Sequence, residues 1–452
     1  MNEKIIVTKS RRQTKELKKS FRFTYDMIPG ISENGRMPAF LKDFRLRGWK
    51  AYQEIPLPTT SDEAWRRTDL RDLDTGVFRI PAAGEHLEFP LVPDELSHTV
   101  ADQSYGGQII LQPSGEASIK LASPVKKQGV VFTTIKNAER ICPDILANVM
   151  GQIVKPEESK FAGMAASFAE NGILVYIPPG IKVEKPLQSI LWGPGVGLAY
   201  FSHIIVWVNE GASLTYVHES SSPTEKKGQT MHSGLVEILV SQNASLKFIE
   251  LQSWGEHVWN FSHERAQVHR YGNIEWIFGA MGSHVTKNFT DLDLIGEGAT
   301  GKVTGFYFAD GVQHFDHDTQ QNHLAPQTTS DLLYKGALKD KSYSVWQGMI
   351  YVSPHAQKTD GYQANRNLTL SPLARADSIP GLEILANDVR CTHGVTVGKV
   401  DAEQMFYLQS RGISKKDGER LIIEGFFDPI MQRIPFESMR SRFQNAIYRK
   451  LE

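Results

Sequence analysis

From about residue 171 to about residue 400 the apolar residues come in short runs typical of strands, and no helix-length period of 3.6 is present there. Short runs that favour strands are separated by Gly, Asn and Pro, beginning with Gly172-Ile-Leu-Val-Tyr-Ile-Pro-Pro-Gly-Ile-Lys-Val183. Side chains of a strand project alternately to its two faces. The pattern therefore predicts many short strands, each with one apolar face.

The turns between these runs recur at a nearly regular spacing. Four turn residues lie about 26 to 32 positions apart: Gly211, Asn243, Gly272 and Gly298. Such a period is typical of stacked repeats, and Gly and Asn tolerate the left-handed backbone of sharp corners. A β-sandwich is the alternative, but its hairpins usually need tighter, two-residue turns. The spacing favours a parallel β-helix, in which each turn covers the apolar face of the last.

The residues before this region have a mostly helical pattern. Helices are predicted over residues 10–21, 38–52, 61–72 and 143–152, and Ser61 is suited to cap the third. A hairpin is predicted over residues 108–121, where Pro113-Ser-Gly115 supplies the turn. Cys142, just before a helix start, is interpreted as a small, partly buried side chain.

The residues after the strand-rich region predict three more helices, over 401–412, 414–425 and 438–451. Large apolar side chains lie between the second and the third: Phe426, Phe427, Ile430, Met431, Ile434 and Phe436. Packing on the β domain and docking in the groove of a partner protein both account for them. The predicted domains are an N-terminal, mostly helical one (1–168), a β-helix core (169–399) and a C-terminal helical one (400–452).

Composition narrows the class of protein. The chain has 452 residues, of which 40% are hydrophobic and 22% charged, as in ordinary globular proteins. Its formal net charge of -1 gives no basic field for nucleic acid. The basic N-terminal stretch has no apolar core of a signal peptide, and no apolar run is long enough to span a bilayer. Two cysteines do not make a disulfide framework, so a reducing, cytoplasmic location is expected.

Candidate metal chemistry centres on Cys391 and His393. In a strand these two side chains project from the same side, with Thr392 on the other. A soft sulfur and an imidazole side by side can hold iron or zinc, but two ligands are only half a site. The sequence thus predicts that another chain supplies the rest, or that the pair has a different use.

A second cluster of candidate ligands is His314-Phe-Asp-His-Asp-Thr-Gln-Gln-Asn-His323. In a strand, His314, Asp316 and Asp318 share one face. We interpret them as polar residues on the exposed side of the coil, because Asp and Thr favour such positions. The Gly-rich run Trp192-Gly-Pro-Gly-Val-Gly197 lacks the Lys-Ser/Thr of a P-loop, so no ATP site is predicted.

Several separated stretches resemble the SufB/SufD family of iron–sulfur cluster assembly proteins. The C-terminal ones are Arg375-Ala-Asp-Ser-Ile-Pro-Gly-Leu-Glu-Ile384, Asn387-Asp-Val-Arg-Cys-Thr-His-Gly394 and Phe406-Tyr-Leu-Gln-Ser-Arg-Gly-Ile413. Upstream ones are His323-Leu-Ala-Pro-Gln-Thr-Thr-Ser-Asp-Leu-Leu-Tyr-Lys-Gly336, Gln363-Ala-Asn-Arg-Asn-Leu368 and Tyr176-Ile-Pro-Pro-Gly-Ile-Lys-Val-Glu-Lys-Pro-Leu187. Glu63-Ala-Trp-Arg-Arg-Thr-Asp-Leu70 extends the resemblance, with Arg67 where the family usually has Tyr.

The resemblance implies a right-handed parallel β-helix between helical terminal domains, and a place in a complex with SufB and the ATPase SufC. SufB-like chains usually carry several cysteines, because clusters are held mainly by thiolates. This chain has one in its repeat region, so it is more similar to SufD, and a SufB-type scaffold is the alternative. The implied role is non-catalytic: cluster formation and iron entry at the interface with SufB, with ATP hydrolysed by SufC. A homodimer in isolation is also compatible with exposed strand edges.

The resemblance also assigns site residues. It makes His393 the functional residue at the SufB interface, with Cys391 beside it, both contributing to transient binding of iron or a nascent cluster. It implies that the C-terminal helices dock on SufC, and the candidate contacts are Phe406, Tyr407, Leu408, Arg411, Phe426 and Phe427.

Two enzyme classes compete with this function. A carbohydrate-active β-helix enzyme would need paired carboxylates in an open groove, for which Asp316 and Asp318 are the candidates. A cupin-like metal enzyme would need a complete set of ligands in one chain, which the sequence does not assemble.

Overall fold

The computed structural model describes residues 20–31, 37–82, 85, 87, 90–97, 105–113, 117–193 and 195–451. Three strands lie before the repeat region: Gly107–Leu111 (β1), Ala117–Leu121 (β2) and Val131–Thr134 (β3). The strands that follow are Asn171–Ile177 (β4), Leu187–Trp192 (β5), Ala199–Val208 (β6), Ser213–Ser221 (β7), Thr230–Val240 (β8), Ser245–Ser253 (β9), Val258–Val268 (β10), Asn273–Ala280 (β11), Val285–Leu294 (β12), Thr300–Ala309 (β13), His314–His323 (β14), Thr329–Leu338 (β15), Tyr343–Val352 (β16), Thr359–Thr369 (β17), Arg375–Ile384 (β18) and Val389–Lys399 (β19).

These strands form a parallel solenoid of about 8 turns. Sheet 1 has the order β19-β17-β15-β13-β11-β9-β7-β5-β1-β2, and sheet 2 has the order β18-β16-β14-β12-β10-β8-β6-β4-β3. From β4 onward each strand pairs in parallel with the strand two further along the chain, so each turn contributes one strand to each sheet. The predicted β-helix is confirmed, and the antiparallel hairpins of a sandwich are not found in this region.

One corner of the coil is built by a column of residues with positive φ. They recur every 27 to 32 residues: Gly180, Gly211, Asn243, Tyr271, Gly298, Gln327 and Lys358. Each donates its backbone N–H to a carbonyl of the next turn, as Asn243 does to Arg270 at 3.0 Å. Three of the four predicted corner residues hold such positions, whereas the third corner falls at Tyr271 rather than at Gly272.

The core lies between the two sheets. Its inward side chains stack in columns because the register between turns is fixed, as in the column that runs from Leu187 through Tyr216, Phe248 and Trp276. At the N-terminal end, β1 pairs with β5 and β3 pairs with β4. Val125 and Phe132 of this segment pack into the same core. This end of the solenoid is therefore capped.

The N-terminal helices are Ala39–Glu54 (α1), Asp94–Ser97 (α2), Ser123–Lys127 (α3), Ile135–Ile141 (α4), Pro143–Ala147 (α5) and Lys160–Phe168 (α6). Four of them, α1, α4, α5 and α6, cover the outer face of sheet 2. Helix α2 packs on β5 of sheet 1, and α3 packs into the core at the capped end. The predicted helix over 38–52 and the hairpin over 108–121 are confirmed. The helix predicted over 61–72 is wrong, since only Glu63–Trp65 forms a short 3-10 turn. Residues 10–19 of the first predicted helix lie outside the described residues, and residues 20–21 are not helical.

The C-terminal helices are Ala402–Ser410 (α7), Lys415–Met431 (α8) and Glu437–Leu451 (α9), as predicted. The second and third pack on the outer face of sheet 1 through a buried cluster that includes Ile423, Phe427, Ile430 and Phe443. Most of the apolar side chains noted in the sequence therefore stabilise the fold itself. None of the helices in the described part of the chain is long and apolar enough to cross a membrane.

The residues around Trp65 clamp the N-terminal segment to sheet 2. The Trp65 ring lies 5.5 Å from that of Phe161 and 5.9 Å from that of Phe261. Beside it, the Thr68 hydroxyl donates to the Asp316 carboxylate. Asp316 in turn pairs with Lys287, whose Nζ lies 2.9 Å from Asp316 Oδ1, and both side chains are fully buried. This ion pair depends on hydrogen bonds from its surroundings, because buried charges are costly without them.

We predict that Thr68→Val lowers the free energy of unfolding by about 1–3 kcal/mol. Valine has nearly the same size as threonine but lacks the hydroxyl group, so the buried Asp316 carboxylate loses a hydrogen-bond donor. Chemical denaturation measures this difference. Thr60→Val, at an exposed position, is the matched control and should stay close to the unaltered chain. Equal stabilities of the two variants would contradict the role of Thr68.

Candidate functional site at the open end of the solenoid

The C-terminal end of the solenoid has no cap among the described residues. The last strands, β18 and β19, are the terminal members of sheets 2 and 1. They are 10 and 11 residues long, and each pairs on one side only within the described chain. Their free edges present backbone N–H and C=O groups, which is the usual template for pairing with another chain.

The candidate ligands Cys391 and His393 both lie on β19. In the register with β17, Cys391 is paired with Gly361 and His393 with Gln363. Gln363 faces the interior, where its amide donates to the Gly381 carbonyl of β18 at 2.9 Å. His393 therefore continues an inward column at the last turn, where no further turn covers it, and its side chain is exposed. The structure brings the two residues together on one face, as predicted.

Cys391 has an apolar environment. It packs against a small buried cluster of Ile350, Val352, Ala356 and Ala386. Burial raises the pKa of its thiol, a hydrogen bond from the Gly361 backbone opposes the rise, and the negative charge of Asp360 adds to it. The thiol is thus mostly protonated near neutral pH, and binding of a metal or of sulfur has to displace this proton.

A third potential ligand, His323, lies close to Cys391. A Cβ atom placed on Gly361 would be 3.3 Å from Cys391 Sγ and 3.3 Å from His323 Nε2, so both atoms border the space that this glycine leaves open. Nε2 is hydrogen-bonded to the Ser330 hydroxyl at 2.8 Å and Nδ1 to Thr328 Oγ1 at 2.7 Å. Burial lowers the pKa of His323 to about 4, so the ring is neutral.

The proximity of His323 was missed from sequence. The residue lies 68 positions before Cys391 and was noted only as part of two motifs. Only the stacking of the turns brings it beside the cysteine. The repeat period gave no direct signal, because the two residues lie in different sheets and two turns apart.

The rim of the open end is apolar. Inward positions of the last turn that would be buried in any other turn are exposed here: Leu382, Ile384, Val395 and Val397. Within the described residues, no group of three or more His, Cys, Asp and Glu side chains is arranged to hold a metal ion. Cys142 is no substitute, because it packs in the separate cluster of the N-terminal helices. The arrangement can contribute one or two ligands to a shared site.

The second cluster of candidate ligands is not a metal face. His314, Asp316 and Asp318 do share one side of β14, but our interpretation of Asp316 as an exposed residue is wrong. The segment around Thr68 covers it, and Lys287 neutralises it. His317 faces the opposite side, in the interior, as the alternation requires.

The six candidate contact residues for SufC differ in exposure. Phe406 and Tyr407 of α7 are 74% and 57% exposed. Arg411 is exposed too, with its guanidinium 5.2 Å from the Tyr407 ring, and Leu408 is half-buried. Phe426 is half-buried beside Lys335, and Phe427 is buried against the sheet. Phe427 therefore belongs to the intramolecular core and is not available to a partner.

Known proteins identify the family. Residues 192–426 match the family described as "SUF system FeS cluster assembly, SufBD core domain", and residues 31–189 match the "SufBD protein N-terminal region". The first match alone covers more than half of the chain. The chain belongs to the SufBD family. The resemblance stated from the motifs is confirmed at this level, and it extends through the N-terminal region.

Similar SufBD proteins are found in staphylococci. An "Iron-sulfur cluster assembly SufBD family protein" of Staphylococcus epidermidis (strain ATCC 12228 / FDA PCI 1200) is 28% identical over 428 residues, covering 92% of this chain and 90% of that protein. SufBD family proteins of Staphylococcus haemolyticus (strain JCSC1435) and Staphylococcus aureus (strain USA300) are each 27% identical over 425 residues, with the same coverage. This SufBD chain is therefore a member of an iron–sulfur cluster assembly family along nearly its whole length.

We predict that Cys391 is alkylated slowly near neutral pH. In a Cys142→Ser variant, which leaves Cys391 as the sole thiol, the rate of reaction with iodoacetamide should rise about tenfold per pH unit, because the thiolate is the nucleophile. The rise should continue past pH 9, since the pKa lies above the ordinary value of 9.0. Mass spectrometry follows the reaction. A short cysteine peptide is the control, and a plateau below pH 9 in the protein would contradict the raised pKa.

Proposed function

We propose that this SufBD protein is the SufD-like subunit of a SufB–SufC–SufD complex. It joins a SufB-like solenoid through its open end and contributes to iron entry and cluster formation there. The observation that carries the proposal is the position of Cys391 and His393 on β19, the uncapped last strand of sheet 1. The unpaired edges of β18 and β19 and the apolar rim around them support pairing with another solenoid of the same type.

The number of thiols supports a SufD-like rather than a SufB-type role. Clusters are held mainly by cysteine sulfur. The chain has two cysteines, which lie in separate clusters of the fold. A scaffold that holds a cluster by itself needs more thiolates, whereas a subunit that shares a site needs only one or two ligands. A SufB-type scaffold that takes all other ligands from a second chain is the alternative.

In this proposal His393 is the principal ligand for iron and Cys391 the auxiliary one. An exposed neutral imidazole can bind iron without a change in the fold. Cys391 is half-buried and protonated, so it binds only after it loses its proton. Iron or the nascent cluster is the cargo, held transiently while the partner chain supplies the remaining ligands. The chain itself is non-catalytic, and SufC hydrolyses ATP.

We infer that α7 is the main contact with SufC. Its two exposed aromatic rings, Phe406 and Tyr407, and the Arg411 guanidinium beside them are the residue types enriched in binding hot spots. The helices α8 and α9, which pack on sheet 1, attach α7 to the solenoid. The inferred complex is cytoplasmic, where a reducing environment keeps both cysteines free.

A carbohydrate-active enzyme is disfavoured by the surroundings of its candidate carboxylates. Asp316 is fully buried in an ion pair with Lys287, and Asp318 is 29% exposed with its Oδ2 3.4 Å from the same ammonium group. Two catalytic carboxylates would have to flank a sugar in an open groove.

We predict that His393→Ala lowers iron retention by the purified three-protein complex about tenfold or more, since loss of even an outer-shell partner of a metal ligand costs 10–100-fold in affinity. The complex itself should still assemble, because the side chain is exposed. Iron and sulfide analysis after co-purification under reducing conditions gives the readout. Thr392→Ala, on the adjacent outward position, is the matched control.

Unchanged iron content in the His393→Ala complex would refute the ligand role. Failure of the unaltered chain to co-purify with SufB or SufC would refute the SufD-like function as a whole.

We predict that the double variant Phe406→Ala/Tyr407→Ala weakens binding to SufC by about 2 kcal/mol or more, as loss of a hot spot does. This is about 30-fold in Kd, measurable by calorimetry. Leu373→Ala removes an apolar side chain that is 67% exposed outside α7 and serves as the control. If both variants bind SufC equally well, α7 is not the contact.

A further inference from the structure

The interior of the middle turns contains two carboxyl groups. Glu250 of β9 in sheet 1 and Glu264 of β10 in sheet 2 both point between the sheets and are 8% and 2% exposed. Each influences the ionisation of the other, so the two groups form one pair. Glu264 accepts hydrogen bonds from the Ser262 hydroxyl at 2.6 Å and from the Thr290 hydroxyl at 3.3 Å. Glu250 interacts with the Trp276 indole N–H, which lowers its pKa, and with the Glu264 carboxyl group.

Buried polar atoms near this pair are without hydrogen-bond partners among the described residues. They are Asn288 Oδ1 and both ring nitrogens of His317. Asn288 and His317 are register partners on β12 and β14, and Asn288 is also the register partner of Ser262, which donates to Glu264. Buried polar groups are nearly always hydrogen-bonded, to protein or to ordered water. A cluster of unpartnered donors and acceptors in one interior region therefore indicates a bound polar species.

No cation in the described part of the interior compensates a negative charge on the pair. No inward position of the described strands from β4 to β17 is Lys or Arg. The other ionisable groups that face the interior of these strands are four histidines and four tyrosines: His218, His232, His317, His323, Tyr200, Tyr216, Tyr307 and Tyr334. Burial lowers the pKa of His218 and His317 to about 3 and that of His232 and His323 to about 4, and it raises the pKa of each tyrosine. All eight are neutral near pH 7.

The absence of a cation determines the state of the two carboxyl groups. Two ionised carboxylates in such a site would be strongly destabilised by desolvation and by mutual repulsion. Burial raises the pKa of Glu250 well above its ordinary range, and the charge of Glu264 adds to the rise. Burial also raises the pKa of Glu264 to about 7, against the hydrogen bonds from Ser262 and Thr290. The pair titrates as a unit.

We propose that Glu250 and Glu264 retain a shared proton at neutral pH and, with Asn288 and His317, enclose a hydrated proton-binding site inside the solenoid. The ligand is water together with this proton. The inference does not depend on the SufD-like function or on any partner.

A separate set of hydrogen-bonded side chains lies nearer the open end. The Tyr307 hydroxyl donates to Asn367 Oδ1 at 2.6 Å, and the Asn367 amide donates to Asn365 Oδ1 at 2.6 Å and to the Ser378 hydroxyl at 3.1 Å. Ser378 belongs to β18, in the last turn.

The test is infrared spectroscopy of the full-length protein as a function of pH. A protonated carboxyl group has a C=O stretching band distinct from that of a carboxylate. We expect this band at pH 7 in the unaltered chain and its decrease in Glu250→Gln and in Glu264→Gln. The exposed Glu210→Gln variant is the control and should leave the band unchanged. No protonated carboxyl band at pH 7, or a band that survives in both interior variants, would overturn the proposal.

Thermal unfolding gives an independent readout. An unfolded glutamate ionises near 4.5, whereas the folded chain holds the Glu264 proton to about pH 7. Between these values the folded state binds more protons than the unfolded one, so this group makes stability fall as pH rises. Glu264→Gln removes this ionisable group and therefore the fall in stability that it causes. The Tm of the variant minus the Tm of the unaltered chain should increase by about 2 °C or more from pH 5 to pH 8. A Tm difference that is constant with pH would overturn the proposal.

Discussion

The parallel hydrogen bonding of each turn to the next, at one fixed register, is the constraint on which the rest of this structure depends. It is maintained at the corner by residues with positive φ that bond to the following turn. Because the register is fixed, inward and outward positions stay in columns from one end of the solenoid to the other. The columns put apolar side chains in the core and bring the interior carboxyl groups together. They also bring His323 beside Cys391, although 68 residues separate the two.

The two ends and the two faces of the solenoid are covered by different parts of the chain, and one end is left uncovered among the described residues. The N-terminal segment closes one end through β1 and β3 and covers sheet 2 with helices, held there by Trp65 and Thr68. The C-terminal helices cover sheet 1. Only the last turn, with β18 and β19, remains open in the described chain. Surface suited to association is therefore concentrated at this end and on α7.

Much of this architecture could be predicted from sequence because it follows from local patterns. Short strand-like runs, recurring corner residues and capped C-terminal helices each depend on a few neighbouring residues. The failures depend on contacts between distant residues. Residues 61–72 read as a helix, but tertiary contacts of Trp65 and Thr68 override the local propensity. Helix α6 was not predicted; it is buried from Phe161 to Phe168, and its Gly163 packs closely against α1.

The candidate site was likewise predictable only where it depends on neighbouring residues. Strand alternation placed Cys391 and His393 on one face correctly. It could not reveal that Asp316 is buried by a segment more than 240 residues earlier in the chain, or that Phe427 faces the sheet. The family motifs identified the SufBD proteins, whereas the role of each residue at the open end depends on the environment that folding creates.

The open end has a thermodynamic consequence. In a stacked-repeat protein the stability of each turn includes interface terms with both neighbours. The last turn, which carries Cys391 and His393, has only one such neighbour among the described residues. A solenoid that docks there supplies the second interface term, so association and completion of the final turn become a single free-energy change. The geometry of the two candidate ligands is then fixed most firmly when the partner is bound.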